Sequence, residues 1–254
     1  MAVVPAAAIA RRRSAHPPHC GGDAISATWQ AHGARPILSG MSYGPFVPIY
    51  ASLARLYSGG AIPACQRWAV DQIPAGSRVM FAGPGPGLDI VYAARRGLQI
   101  TAVDCNAFML QATAQRLQQA GVSHRVELVH ADLLQRTSTP AFDVVIAQFF
   151  LNVFAVAHLP QVIQALGGHL APAGRLIVGD FAAIADGNHP WQSLYHDLPM
   201  HVLACFGANA VHDVHDLPRH LQAAGFAVRE RRDFRLFGIG PAWIEGLVAE
   251  PAHS

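Results

Sequence analysis

Gly83, Gly85 and Gly87 follow the apolar run Arg78-Val-Met-Phe-Ala82, and a helix-like stretch, residues 90–96, comes next. A strand that runs into alternating glycines bends sharply and lets a ligand lie against bare backbone. A glycine triplet alone also reads as a plain loop or a helix cap. Position 88 is Leu, so the spacing is not the G-x-G-x-x-G of dinucleotide sites. Pro84 and Pro86 fill the gaps and carry no N–H. A pyrophosphate cradle needs many free backbone donors, so this loop suits a nucleoside ligand without phosphates. Asp104 ends the next apolar run, 21 positions after Gly83. That is close to the ~20 expected for a carboxylate that accepts from both hydroxyls of a ribose.

The elements that must position these residues follow from the pattern. Strands are expected at 78–82, 99–104, 126–130, 142–148 and 174–180. Helices are expected at 107–119, capped by Asn106 and closed at Gly121, and around 159–170. A last helix spans 217–224, with Asp216 as its cap. Segments 227–234 and 244–250 are joined by Phe237-Gly-Ile-Gly-Pro241, too short for a crossover helix, so they form a hairpin.

Together these motifs resemble the class I S-adenosylmethionine-dependent methyltransferases, over about residues 43–250. The match rests on the Gly83/Gly85/Gly87 loop, Val103-Asp104, Ala131-Asp132-Leu133, Phe142-Asp143 and the turn Leu170-Ala-Pro-Ala-Gly174. The set is most similar to small-molecule methyltransferases of the quinone and secondary-metabolite type. The resemblance implies an α/β fold: a Rossmann-like, doubly wound, seven-stranded sheet, mostly parallel with an antiparallel C-terminal strand. It also implies S-adenosylmethionine as cofactor. The three glycines would flank its methionine and ribose, Asp104 would hold the ribose hydroxyls, and Cys105 would lie beside the adenine. Asp132 would accept from the adenine amine and the Leu133 N–H would meet a ring nitrogen. Gln148 and Phe149 would lie near the sulfonium. Asp132 also reads as an acid capping a loop turn. Phe81 stands where the family usually places an acid near the cofactor ammonium. Asp89 is a possible substitute, although an acid in the first turn of a helix more simply favours the helix dipole.

Residues 43–67 read as helical, and in similar enzymes such a segment (here 43–70) forms a lid. Tyr43 or Tyr50 would contact the cofactor there, or dock the helix. Residues 182–216 interrupt the alternation and carry Trp191, Tyr195 and Phe206 with His189, His196, His201, His212 and His215. This insert is expected to line the acceptor pocket. No metal is expected, because His212-Asp-Val-His-Asp216 lacks a helix start and Asp216 serves as a cap. No residue is assigned as the catalytic base.

The chain has 254 residues, 52% hydrophobic and 13% charged, which fits a single domain, 41–254, whose strands are covered on both faces. A formal net charge of +2 does not favour nucleic acid as a partner, and Gln148-Phe-Phe-Leu-Asn152 lacks the Asn/Asp-Pro-Pro-aromatic stretch of nucleobase and amide methyltransferases. The expected partner is a small-molecule substrate, with the oligomeric state left open. There is no run of 18 apolar residues to span a membrane. Four scattered cysteines without a Cys-x-x-Cys pair fit a reducing cytoplasm. Residues 1–40, rich in Ala, Pro and Gly, read as a disordered tail. Two other readings stand beside the methyltransferase: a nucleotide-cofactor oxidoreductase, and a non-catalytic domain acting as a partner subunit.

Overall fold

The computed structural model describes residues 57–135, 141–183 and 214–252, all within the unit Ile37–Ser254. The expected contacts of Tyr43, Tyr50, Trp191, Tyr195 and the histidines from His189 to His212 lie outside these residues. So do the tail and most of the 182–216 insert.

Seven strands form one sheet: β1 (Arg78–Ala82), β2 (Gln99–Asp104), β3 (Val126–His130), β4 (Phe142–Gln148), β5 (Leu170–Phe181), β6 (Phe226–Phe234) and β7 (Ile244–Pro251). Their spatial order is β3-β2-β1-β4-β5-β7-β6. The first five are parallel, and β7 alone runs against its neighbours β5 and β6. This is the doubly wound sheet expected. The C-terminal pair is a hairpin, but β7 does not lie at the edge. It slots between β5 and β6, because its run Ile244-Glu-Gly-Leu-Val-Ala249 is buried throughout, whereas the middle of β6 is charged and exposed. A charged strand belongs at the edge, where it discourages pairing with other chains.

Alternating residues feed two cores. On one face Phe81, Val144, Ile146 and Ile177 pack with Cys65, Trp68 and Ile90. On the other Met80, Val145, Leu176 and Val178 pack with Ile163, Leu166 and Leu221. Among the described residues, five helices supply those layers: α1 (Ala61–Asp71), α2 (Leu88–Arg95), α3 (Ala107–Gln119), α4 (Leu159–Gly168) and α5 (Leu217–Ala223). Asn106 caps α3 by accepting from the Phe108 and Met109 N–H groups, and Asp216 caps α5 by accepting from the Arg219 N–H. No helix among the described residues is long and apolar enough to cross a membrane.

Two boundaries depart from the expectation. The helix of residues 159–170 stops at Gly168, and the turn 170–174 is absorbed into β5 as a bulge between the pairs Phe142↔Leu170 and Val144↔Arg175. A Cβ at Gly174 would lie 2.9 Å from both Ala171 O and Phe142 O, so only glycine permits that bend. Within the described residues, a turn precedes the helix expected up to residue 67. Gly59 and Gly60 adopt φ of 53° and 90°, and the chain restarts as α1. Residues 61–71 are therefore part of the core layer, since Ala61, Cys65, Trp68, Ala69 and Val70 are buried.

The seating of α1 depends on a missing side chain in β7, because a Cβ at Gly246 would drive into the Trp68 ring. Gly246→Ala should destabilise the fold by about 1–3 kcal/mol through overpacking. Urea unfolding should show an earlier midpoint with an unchanged slope.

Candidate active site

β1 ends at Ala82, and the chain leaves the sheet through Gly83, Gly85 and Gly87 at φ of 60°, 53° and 73°. All three occupy the left-handed region that glycine enters freely. The turn is fastened at its ends: the Gly83 N–H donates to Val103 O at 2.9 Å and the Gly87 N–H to Pro84 O at 3.1 Å. The Phe150 ring fills the space a Cβ on Gly83 would need, and Thr113 does the same at Gly87. The Thr113 hydroxyl also donates to Gly85 O at 3.0 Å. Gly85 itself faces open space. The middle of the turn is thus held from behind and bare in front.

Asp104, at the end of β2, faces this turn. Its carboxylate accepts from the Asn106 N–H at 2.8 Å. Burial pushes its pKa up to about 6, against the opposing pull of the Asn106 and Gly85 backbone and of His130. The His130 ring holds Cys105 O at 3.0 Å through Nε2. After β3, Asp132 closes a turn, accepting from the Leu134 N–H at 2.9 Å and the Gln135 side-chain amide at 3.0 Å. That is the turn-capping role kept open for it, and it buries Leu133 in the second core.

Gln148 ends β4 facing α1, and neither atom of its amide has a hydrogen-bond partner. It fits only because Gly179 beside it lacks a side chain. Phe149 follows with φ of 53°, a conformation non-glycine residues rarely adopt and one that concentrates at functional sites. Its N–H donates to Gly179 O at 2.7 Å, and its ring meets Phe181 edge-on, 5.6 Å between centroids.

Phe81 lies deep in the first core, 1% exposed, so it offers a ligand nothing polar. Asp89 does stand in the helix's first turn, as the helix-dipole reading has it. It is buried in the first turn of α2, and burial pushes its pKa up to about 6. Residues not singled out by the sequence also gather at this end of the sheet. Asp180, ending β5, and Glu245, its register partner on β7, are both buried and both pushed up to about 7, burial being the largest cause. Burial also pushes the Cys65 thiol up, and the charges of Asp180, Glu245 and Asp89 add to the effect. The available signal was an acid closing or interrupting an apolar strand, the same signal that marked Asp104. His215, by contrast, is a tether: its Nε2 pairs with Phe154 O at 2.8 Å.

Residues 79–174, which carry the glycine turn, Asp104, Asp132 and Gln148, match the family model of a methyltransferase domain. This part of the chain is a methyltransferase domain. The ribosomal protein L11 methyltransferase of Pelotomaculum thermopropionicum is 32% identical over 114 residues, 44% of this chain and 35% of that protein. The chain thus spans about a third of the length of that relative. The mitomycin 7-O-methyltransferase MmcR superposes with a TM-score of 0.61 at 16% identity, over 92% of this chain and 68% of MmcR. The Burkholderia thailandensis 1,6-didemethyltoxoflavin-N1-methyltransferase, solved with 1,6-didemethyltoxoflavin and S-adenosylhomocysteine, gives 0.56 at 18% identity, over 85% and 94% of the two chains. The methyltransferase domain's Rossmann-like sheet is the class I fold that the motifs implied.

The buried acids make stability depend on pH. Asp89, Asp104, Asp180 and Glu245 have folded pKa values of about 6, 6, 7 and 7, above their ordinary values. Between those values the folded state binds more protons than the unfolded state, so stability falls as pH rises. The contribution is fully present near pH 4 and lost by about pH 7. The free protein's urea midpoint should be higher at pH 5 than at pH 8, and Asp180→Asn should flatten the difference.

Proposed function

We propose that the protein transfers the methyl group of S-adenosylmethionine to a small, largely apolar or aromatic metabolite. The observation that carries this reading is the convergence of a glycine turn bare at Gly85 and a half-buried strand-end carboxylate within the matched domain. Gly85 is bare in front, and Asp104 meets the same turn through the Gly85 backbone. Ligands of open α/β sheets bind at this end.

The residues present suit that cofactor. Gly83, Gly85 and Gly87 would lie along its methionine and ribose, and Asp104 would accept from the ribose diol. Cys105, Leu133 and Asp132 would border the adenine. Asp132 already accepts two hydrogen bonds, yet a carboxylate offers about four lone-pair sites. Gln148 carries an amide with no protein partner, as a side chain facing a polar ligand would. Tyr43 would close the site from the N-terminal segment.

Bound S-adenosylmethionine supplies a methyl group already activated by a positive sulfur. The protein's share is to orient the acceptor for in-line attack and to exclude water. Two edge-on aromatic pairs lie near the ends of β4 and β5, Phe149–Phe181 at 5.6 Å against the first core and Phe150–Phe154 at 5.1 Å against the second, and offer apolar walls. Trp191 and Tyr195 would extend those walls. An oxidoreductase reading gains nothing, since Leu88 replaces the third fingerprint glycine and the prolines remove donors. A buried Cys65 thiol outside any disulfide suits a cytoplasmic enzyme.

Calorimetry tests the reading. The protein should bind S-adenosylmethionine and not NAD. Asp104→Ala should weaken that binding by about 1.5–3 kcal/mol, tenfold or more, because a charge-assisted bond is lost. An unchanged affinity would remove Asp104 from the ribose.

A further inference from the structure

Among the described residues, every buried side-chain nitrogen or oxygen without a hydrogen-bond partner belongs to Gln148, Asn152 or Glu245. Each such atom is costly if left unsatisfied. All three residues sit at one end of the sheet: the end of β4, the turn after it, and the start of antiparallel β7. Gln148 points to the α1 face and belongs to the cofactor site proposed above. Asn152 and Glu245 are separate from it and are 5% and 1% exposed.

Asp180 links the two. It accepts from the Asn152 N–H at 3.1 Å and the Phe181 N–H at 2.9 Å, and pairs in register with Glu245. Its carboxylate is occupied by backbone donors. The Asn152 amide lies close enough to favour its ionised form, in a geometry that completes no hydrogen bond. Glu245 has an ion pair with Arg231, Nε to Oε2 at 3.1 Å, but no aligned hydrogen bond to either oxygen. Arg231 divides itself between Glu245 and Asp233, the latter at 3.3 Å. Among the described residues, Asp180, Glu245, Asp233 and Asp216 thus share this corner with one neighbouring guanidinium, that of Arg231.

We propose that Glu245 and Asn152, backed by Asp180, form a subsite that takes the primary ammonium group of the methyl acceptor. This rests on the methyltransferase reading and refines its substrate class to an aromatic compound bearing an amine. An ammonium has three N–H donors and no acceptor. The two Glu245 oxygens and the Asn152 amide oxygen are three acceptors in want of donors, in a corner where carboxyl groups outnumber cations. The burial that pushes Asp180 and Glu245 up to about 7 also makes a bound cation the natural counter-charge. The location is right for an acceptor. Asp180 and Glu245 lie two and three strands from the Gly83 turn, and two strand spacings are roughly 10 Å. Phe150, which lies over Gly83, packs edge-on with Phe154 against the second core. The ammonium is a handle that orients the acceptor. The methylated atom is another one, since a protonated nitrogen has no lone pair to attack with.

The test uses the full-length protein saturated with S-adenosylhomocysteine and two matched probes, tyramine and 4-ethylphenol, which differ by the amine. Affinities come from ligand-observed NMR titration. The wild type should prefer tyramine by about tenfold or more, the value of one charge-assisted hydrogen bond. Glu245→Gln should abolish the preference while binding S-adenosylhomocysteine within about twofold of wild type. Asn152→Ala should reduce the preference in part. Equal affinity of the two probes for the wild type, binding of neither, or a preference that survives Glu245→Gln would each overturn the proposal. The wild-type comparison needs no variant to fold. Failure to bind S-adenosylhomocysteine at all would instead overturn the methyltransferase reading.

Discussion

A sheet covered on both faces has room for polar side chains only where its strands end. Every other feature of this protein follows from that constraint. The interiors of β1, β4 and β5 are apolar on both sides, with Phe81 and Ile146 against one helical layer and Met80 and Val145 against the other. A charged group among them would be costly to desolvate. The acids therefore appear at the last position of β2, the last but one of β5 and the second of β7. These are the same end of the sheet, because β7 runs against the others. Burial then does a second thing: it pushes these acids well above the ordinary carboxylate range. The fold has placed its least comfortable groups at the strand ends, the end at which open α/β sheets bind ligands.

Close packing at glycines supports that arrangement. Phe150 lies over Gly83, Gln148 and Cys65 over Gly179, and Trp68 over Gly246. Each glycine lets an aromatic or polar side chain come within contact distance of the sheet backbone. The turn carrying the bare Gly85 is consequently rigid on its protein side. Phe149, held at φ of 53° by its hydrogen bond to Gly179 O, belongs to the same network. Strain of that kind persists only where the surroundings over-determine it. A preorganised cradle needs little rearrangement on binding, which matters for a reaction that depends on alignment more than on proton transfer.

Electrostatics favours the chemistry proposed. S-adenosylmethionine carries a positive sulfur, and an acceptor ammonium would add a second positive charge. Four acids at this end of the sheet are destabilised by burial and lack full compensation within the protein. A cation near them lowers their pKa and is itself stabilised. The site therefore favours positive ligands without presenting a strongly charged surface, in keeping with a net charge of only +2.

The sequence by itself determined the strand order along the chain, the glycine turn, the Asn106 and Asp216 caps and Asp104 at its strand end. These are local or periodic signals, set by residue type and by spacings of two or three to four. The C-terminal hairpin was legible for the same reason, since its connection is too short for a helix. Tertiary structure alone decided which acids are buried. Asp89 reads as a helix-terminus acid until α1 covers it, and Glu245 looks like one charge in a strand until β7 is seen between β5 and β6. Asp180 and Glu245 are 65 residues apart in the chain and face each other only through strand pairing. The same holds for the turn at Gly59 and Gly60 from which α1 enters the core. Burial and register are properties of the neighbours a residue acquires, and a linear pattern carries no record of them.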